Sequence, residues 1–238
     1  MIGRQYEHDT HPKGELHMLG GLSRWAPFTG VVSAVLGVAG GAIEIITNAP
    51  GSDASGKEVI AFYAAHAGPQ EAAAALLGLA FVFLIFFAGS LRAYLLQTPG
   101  LEALGAVVLA GAVLETAGQT LGAGSVWALA RDSAHLDPAA AQGLNVLGAD
   151  AVATNTAGLI VFGIAAGLAI LSSGRLPSWL GWMAIAMAVV VVTPAEALSF
   201  IALVIWMVIL SILMWRRSGE SAEHHAGNVP SHGEIAGR

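Results

Sequence analysis

The 238-residue chain contains no cysteine. Disulfides, thiolate nucleophiles, iron–sulfur clusters and Cys-ligated zinc are therefore excluded, and the redox compartment is left open. Charge is nearly as scarce. Only 11% of the residues are Asp, Glu, Lys or Arg, against about 25% in an ordinary soluble domain. So few charges do not cover a water-facing surface, and part of the solvent of this chain must be lipid. No HExxH, GxSxG, Walker loop or strand–helix GxGxxG is present, so no particular hydrolytic or nucleotide chemistry is indicated. Nothing resembles a nucleic-acid-binding basic patch. The long apolar segments carry no histidine that would ligate a membrane haem or activate Ser33, Ser90, Ser125, Ser199 or Ser211.

What the chain does have is apolar length. Hydrophobic residues make up 55% of it, and thirty glycines accompany them. Small residues let helices in a bilayer approach closely. Six apolar segments are predicted to be helical spans: about Phe28 to Asn48, Ala72 to Leu96, Leu104 to Ala130, Ala151 to Leu171, Pro177 to Thr193, and Ala197 to Trp215. About twenty residues at 1.5 Å each cross a hydrocarbon layer of about 30 Å. The fifth span is short and shares a tight hairpin with the sixth. The expected fold is thus an all-α bundle of six transmembrane helices. A polar segment, 1–26, precedes a membrane domain, 27–217, and a tail, 218–238, follows with no apolar periodicity and a composition typical of disorder. A secretory signal would place its apolar stretch nearer the start, so the first span reads as retained.

Six spans put both ends on one side, together with Arg4, Lys13, Arg24, Arg92, Arg175, Arg216, Arg217 and Arg238; only Lys57 and Arg131 face the other side. The positive-inside rule then predicts cytoplasmic termini. Trp25, Trp179, Trp182 and Trp215 fall near the inner interface and Trp127 near the outer one, as in an aromatic belt. The outer loops, 49–71 and 131–150, each hold an alanine-rich stretch suited to a short surface helix, Gly56–Ala67 and Pro138–Leu147.

Polar groups at membrane depth need a reason, because a charge there costs a few kcal/mol. Glu115 lies about 20 Å along the third span, with Gln119 at i+4. Glu44 is followed at i+4 by Asn48, Asp150 at i+4 by Thr154 with Asn155 beside it, and Glu196 sits in the turn between spans five and six. Threading places Glu44, Glu115, Asp150 and Glu196 toward the outer side, which predicts an acidic vestibule between spans one, three, four and six. Two readings stand side by side. In one, each carboxyl is protonated or bonded to a neighbouring helix and fixes packing. In the other, the group binds a proton, a cation or a basic ligand. The pairs Gly37/Gly41, Gly118/Gly122 and Gly163/Gly167 have GxxxG spacing, favouring close intramolecular crossings over a dimer face. His66 and His135, with Glu71 or Asp137, make a weaker metal candidate than two solvated loops do. No metal and no cofactor is expected.

The stretch Gly174-Arg175-Leu176-Pro177-Ser178-Trp179-Leu180-Gly181-Trp182 leads into a short helix, a turn, and a helix ending in Trp215-Arg216-Arg217. It resembles uncharacterised six-helix bacterial membrane proteins, common in high-GC actinobacteria and classed as a domain of unknown function. The resemblance covers the layout of spans two to six. It implies a helical bundle in the bacterial inner membrane and assigns no activity. Three functions are carried forward. One is a non-enzymatic accessory or regulatory membrane protein, whose partners are the lipid bilayer and a membrane protein or a second copy. The second is a small transporter or ligand-binding protein using the outer acidic residues. The third, least favoured, is an intramembrane enzyme using the same carboxylates.

Overall fold

The computed structural model describes residues 25–193 and 195–227, and describes the backbone alone at Val152, Glu196, Ala197 and residues 218–227. A 3₁₀ turn, Ala26–Phe28, opens into α1, Thr29–Thr47. Then come α2, Gly56–Leu95, and α3, Glu102–Asp132, followed by a 3₁₀ turn at Ser133–His135. The remaining helices are α4, Pro138–Asp150; α5, Val152–Ser173; α6, Ser178–Val190; and α7, Glu196–Gly227. Among the described residues there is no strand. Five helical stretches are long and apolar enough to cross a bilayer, while Ser178–Val190 is a shorter apolar helix. At 13 residues α6 is only about 20 Å long.

Of two elements expected to be separate surface helices, one is the start of a long helix and the other is a short helix of its own. Ser55 opens α2 with a capping box: its hydroxyl accepts from the Glu58 amide, and the Glu58 carboxylate accepts from the Ser55 amide. The helix then runs 40 residues, bending where His66 leaves helical geometry (φ −121°, ψ 20°) three residues before Pro69. Proline lacks the N–H for the i→i−4 bond and its ring presses on that carbonyl, so a bend rather than a stop results when flanking turns are well packed. Pro138–Leu147 belongs to α4, whose N-cap Asp137 accepts from the Ala139 amide at 2.8 Å. Only the turn at Ala151 separates α4 from α5. A second departure is at the end of the described residues. Helix α7 continues to Gly227, beyond the Ser218 at which an irregular tail was expected. Once a helix is nucleated, extending it through residues such as Glu220, Ala222 and Glu223 needs no new nucleus. The segments 1–24 and 228–238 lie outside the described residues.

The main core gathers around Trp206, which is fully buried and meets Phe87 of α2 and Phe162 of α5 edge-on, at ring-centroid distances of 6.2 and 5.8 Å. Its Nε1 donates to the Leu180 carbonyl at 3.0 Å, and Ser199 Oγ donates to the Met187 carbonyl at 3.1 Å, so α7 is pinned to α6 twice. A second cluster lies at the far end. There Val59 and Tyr63 of α2 pack with Leu129 and Ala130 of α3 and Ala141 of α4. This helical cap stands opposite the end that carries Arg92, Arg175, Arg216 and Arg217. At the arginine end Arg175 donates to Gln97 and lies 5.9 Å from the centre of the Tyr94 ring, and Trp25, Phe28 and Trp215 form an aromatic group.

Glycines set the closest crossings. Helices α3 and α5 run antiparallel with Gly111 against Phe162, Glu115 against Gly158, and Gly118 against Asn155. A side chain at Gly158 would overlap the Glu115 backbone. Gly163 and Gly167 lie against α6, where an added Cβ would come within 2.7 Å of the Ala184 and Gly181 carbonyls. These pairs serve contacts inside the chain. Gly37 is only loosely in contact and Gly41 faces open space.

Candidate functional site

Where α2 bends away from the bundle, a cavity of about 310 Å³ opens beneath the cap. Its walls come from the end of α1 with the following loop (Glu44, Ala49–Ser52), from α2 (Tyr63, Leu77, Phe81), from α3 (Gln119–Leu129) and from α4 (Leu144–Ala149). None of its lining residues belongs to α5, α6 or α7. The expected vestibule between spans one, three, four and six is therefore corrected: the bent α2 and the cap helix α4 take the places of spans four and six. The reason is the uninterrupted length of α2, which carries Tyr63 back over the end of α1.

The lining mixes apolar wall with a few polar groups, as small-ligand pockets do. Glu44 is its carboxylate, and Tyr63, Gln119, Ser125 and Asn145 are its larger polar partners. No Lys, Arg or His lines it. The loop over the cavity is tied down by Asn145, whose Nδ2 donates to the Gly51 carbonyl at 2.9 Å. Beside it Gln70, fully buried just past the bend, donates through Nε2 to Thr47 Oγ1 at 2.7 Å. Its Oε1 is buried without a partner among the described residues.

Glu115 lies one layer deeper. It is 3% exposed. Gln119 Nε2 donates to its Oε1 at 3.4 Å, at the long limit of a hydrogen bond, and Oε2 has no partner among the described residues. Gln119 thus has two faces, one on the cavity and one on Glu115. The helical spacing of four residues stacks them on one side of α3. Glycines at 111, 118 and 158 press α5 onto that same side and seal Glu115 from the opposite direction.

The other residues singled out in the sequence lie elsewhere. Asn48 is the left-handed C-cap of α1 (φ 54°) and is exposed, a conformation asparagine tolerates better than most residues. Asp150 and Thr154 are exposed and do not line the cavity. Asn155 is buried at the α3/α5 crossing, its Oδ1 without a partner among the described residues, and it too is absent from the lining. Glu196 begins α7, but its side chain lies outside the described residues. Tyr63, Asn145 and Gln70 escaped the sequence reading because they sit in stretches that read as loop. The signal that could have found them was Pro69, which in a helical context marks a bend with a polar neighbour. Among the described residues no three His, Asp or Glu side chains cluster as metal ligands would.

Comparison of the chain with protein-family models, with curated proteins and with solved structures returns no match.

Proposed function

We propose that the chain is a six-span protein of the bacterial inner membrane, both ends cytoplasmic, whose cap-end cavity binds a small cationic ligand from outside. Cation asymmetry supports the orientation, with eight of ten Lys and Arg assigned to one side. One observation carries the ligand reading: the Glu44 carboxylate lines a cavity of about 310 Å³ with no cation in its walls. A carboxylate held in a partly apolar wall without a counter-ion attracts one, and the aromatic residues Tyr63 and Phe81 belong to the same lining.

The test is a binding titration of the purified protein in lipid nanodiscs with sodium, potassium, methylammonium and choline. Saturable binding of at least one is expected, weakened about tenfold or more by Glu44→Gln, which is about 1.4 kcal/mol. No saturable binding of any of them, or equal affinity in the variant, removes the reading.

The accessory-protein reading has its own support in the outward face of α3. There Ala106, Ala110 and Ala117 line one shallow hollow with Val113 and Leu114, and Ala117 and Gly124 line another with Leu121 and Leu147, an apolar face that a neighbouring helix or a second copy fits. A stoichiometric partner retained in mild detergent, and lost in Ala110→Phe, is its expected outcome. A monodisperse monomer with no partner counts against it.

A further inference from the structure

Gln119 separates two carboxyl groups that differ in access. Glu44 borders the cavity directly, whereas Glu115 is 97% enclosed (3% exposed) and meets the cavity only through Gln119. Ionised, Glu115 would have one weak amide donor and no counter-ion among the described residues. A buried charge so poorly compensated is costly, and the neutral acid is the form that fits this enclosure. The neutral acid in turn carries a proton on an oxygen that no described residue accepts from.

Among the described residues, the Glu115 carboxyl makes no hydrogen bond other than the one from Gln119. Helix α5 has no titratable residue at all and presents glycine backbone and Asn155. Across the cavity α1 presents Glu44 and α2 presents Tyr63, and the lining residues of α4 include no titratable group. On the α3 side itself, the neighbouring Thr116 hydroxyl is already donated to the Ala112 carbonyl at 2.9 Å. Among the described residues, Gln119 both hydrogen-bonds Glu115 and lines space large enough for water, and it is held by one long hydrogen bond that a rotation about its own side-chain torsions breaks.

We infer that Glu115 is a proton-exchange site open only to the cap-end cavity, with the Gln119 side chain as its gate. When the Gln119 amide swings aside, a cavity water reaches Oε2. The carboxyl O–H bond breaks, the water becomes hydronium, and the carboxylate takes a proton back by the reverse step before the amide closes. This deepens the cavity reading, since a proton position behind the ligand position would let cation entry and proton release compete. It rests on that cavity admitting water, but not on which cation binds.

The test is hydrogen–deuterium exchange of the carboxylic acid, followed by infrared spectroscopy on the protein in lipid nanodiscs at neutral pH. A protonated-carboxyl C=O band is expected in the wild type. It should be lost in Glu115→Gln and moved, not lost, in Glu115→Asp, so that the assignment holds even if Glu115→Gln fails to fold. On transfer to D₂O the band should shift quickly in the wild type, and at least tenfold more slowly in Gln119→Leu. Absence of any such band in the folded wild type overturns the inference, as does equal exchange in the wild type and Gln119→Leu. Loss of ligand binding with exchange intact would sink only the cation reading, and cation binding with no gated exchange would sink only this one.

Discussion

At the scale of single residues, one of the most constrained places in the molecule is the meeting of Glu115 and Gly158. The hydrogen atom of glycine is what lets the α5 backbone lie against that of α3 there, since any larger group would occupy space already filled by Glu115. Gly158→Ala should therefore force the two helices apart, costing about 1–3 kcal/mol. Gly78→Ala is the control. An added Cβ at Gly78 meets nothing within 4 Å, and alanine is the better helix former by about 1 kcal/mol. Apparent melting temperatures in the same detergent should fall for the first and stay level or rise for the second. Equal behaviour of the two would contradict the crossing geometry. Glu115 itself was legible in the sequence as a charge deep within an apolar run, but its seal of glycine backbone was not. Glycine pairs mark the ability to cross closely and do not say which helix they cross.

At the scale of elements, the lengths of the helices decide where the cavity forms. Helix α2, at 40 residues, is about 60 Å long, twice the thickness of a hydrocarbon layer. Its first turns thus belong to the cap. Those turns are secured by the Ser55–Glu58 capping box, whose two hydrogen bonds hold the Glu58 carboxyl below its ordinary range. A lowered folded-state value means the ionised form is favoured by folding. The stabilisation is present above the unfolded carboxylate value and is lost as pH falls through the folded one. Amide exchange in Gly56–Ile60 should therefore speed up below about pH 4 relative to neutral pH, after correction for intrinsic rates, and Ser55→Ala should exchange fast at both. A pH-independent protection of this turn would remove the box as its cause. Alanine-rich composition indicated helix at Gly56–Ala67 and at Pro138–Leu147, yet not that the first of these continues into a span. Whether a proline ends a helix or bends it depends on the packing of both flanks, which lies in other parts of the chain.

At the scale of the whole molecule, two unlike ends face each other across the helices: an arginine and tryptophan end, and a cap enclosing an acidic cavity. The natural absence of cysteine makes the orientation directly testable. In intact cells a membrane-impermeant maleimide should label Ser52→Cys, at the cap end, and should leave Ser178→Cys unlabelled until the cells are opened; both positions are exposed. The reverse pattern would invert the proposed topology and turn the cavity toward the cytoplasm. Local composition was enough to determine that the chain is helical and that several of its helices are long and apolar enough for a bilayer. These properties follow from hydrophobic length, which each segment carries by itself. Tertiary structure alone decided that Glu44 and Gln119 share a cavity with Tyr63 and Asn145, and that Asp150 and Thr154 stand outside it. The walls of a cavity belong to helices far apart in sequence, and their rotation and register are set by glycine contacts and a proline bend that only packing resolves.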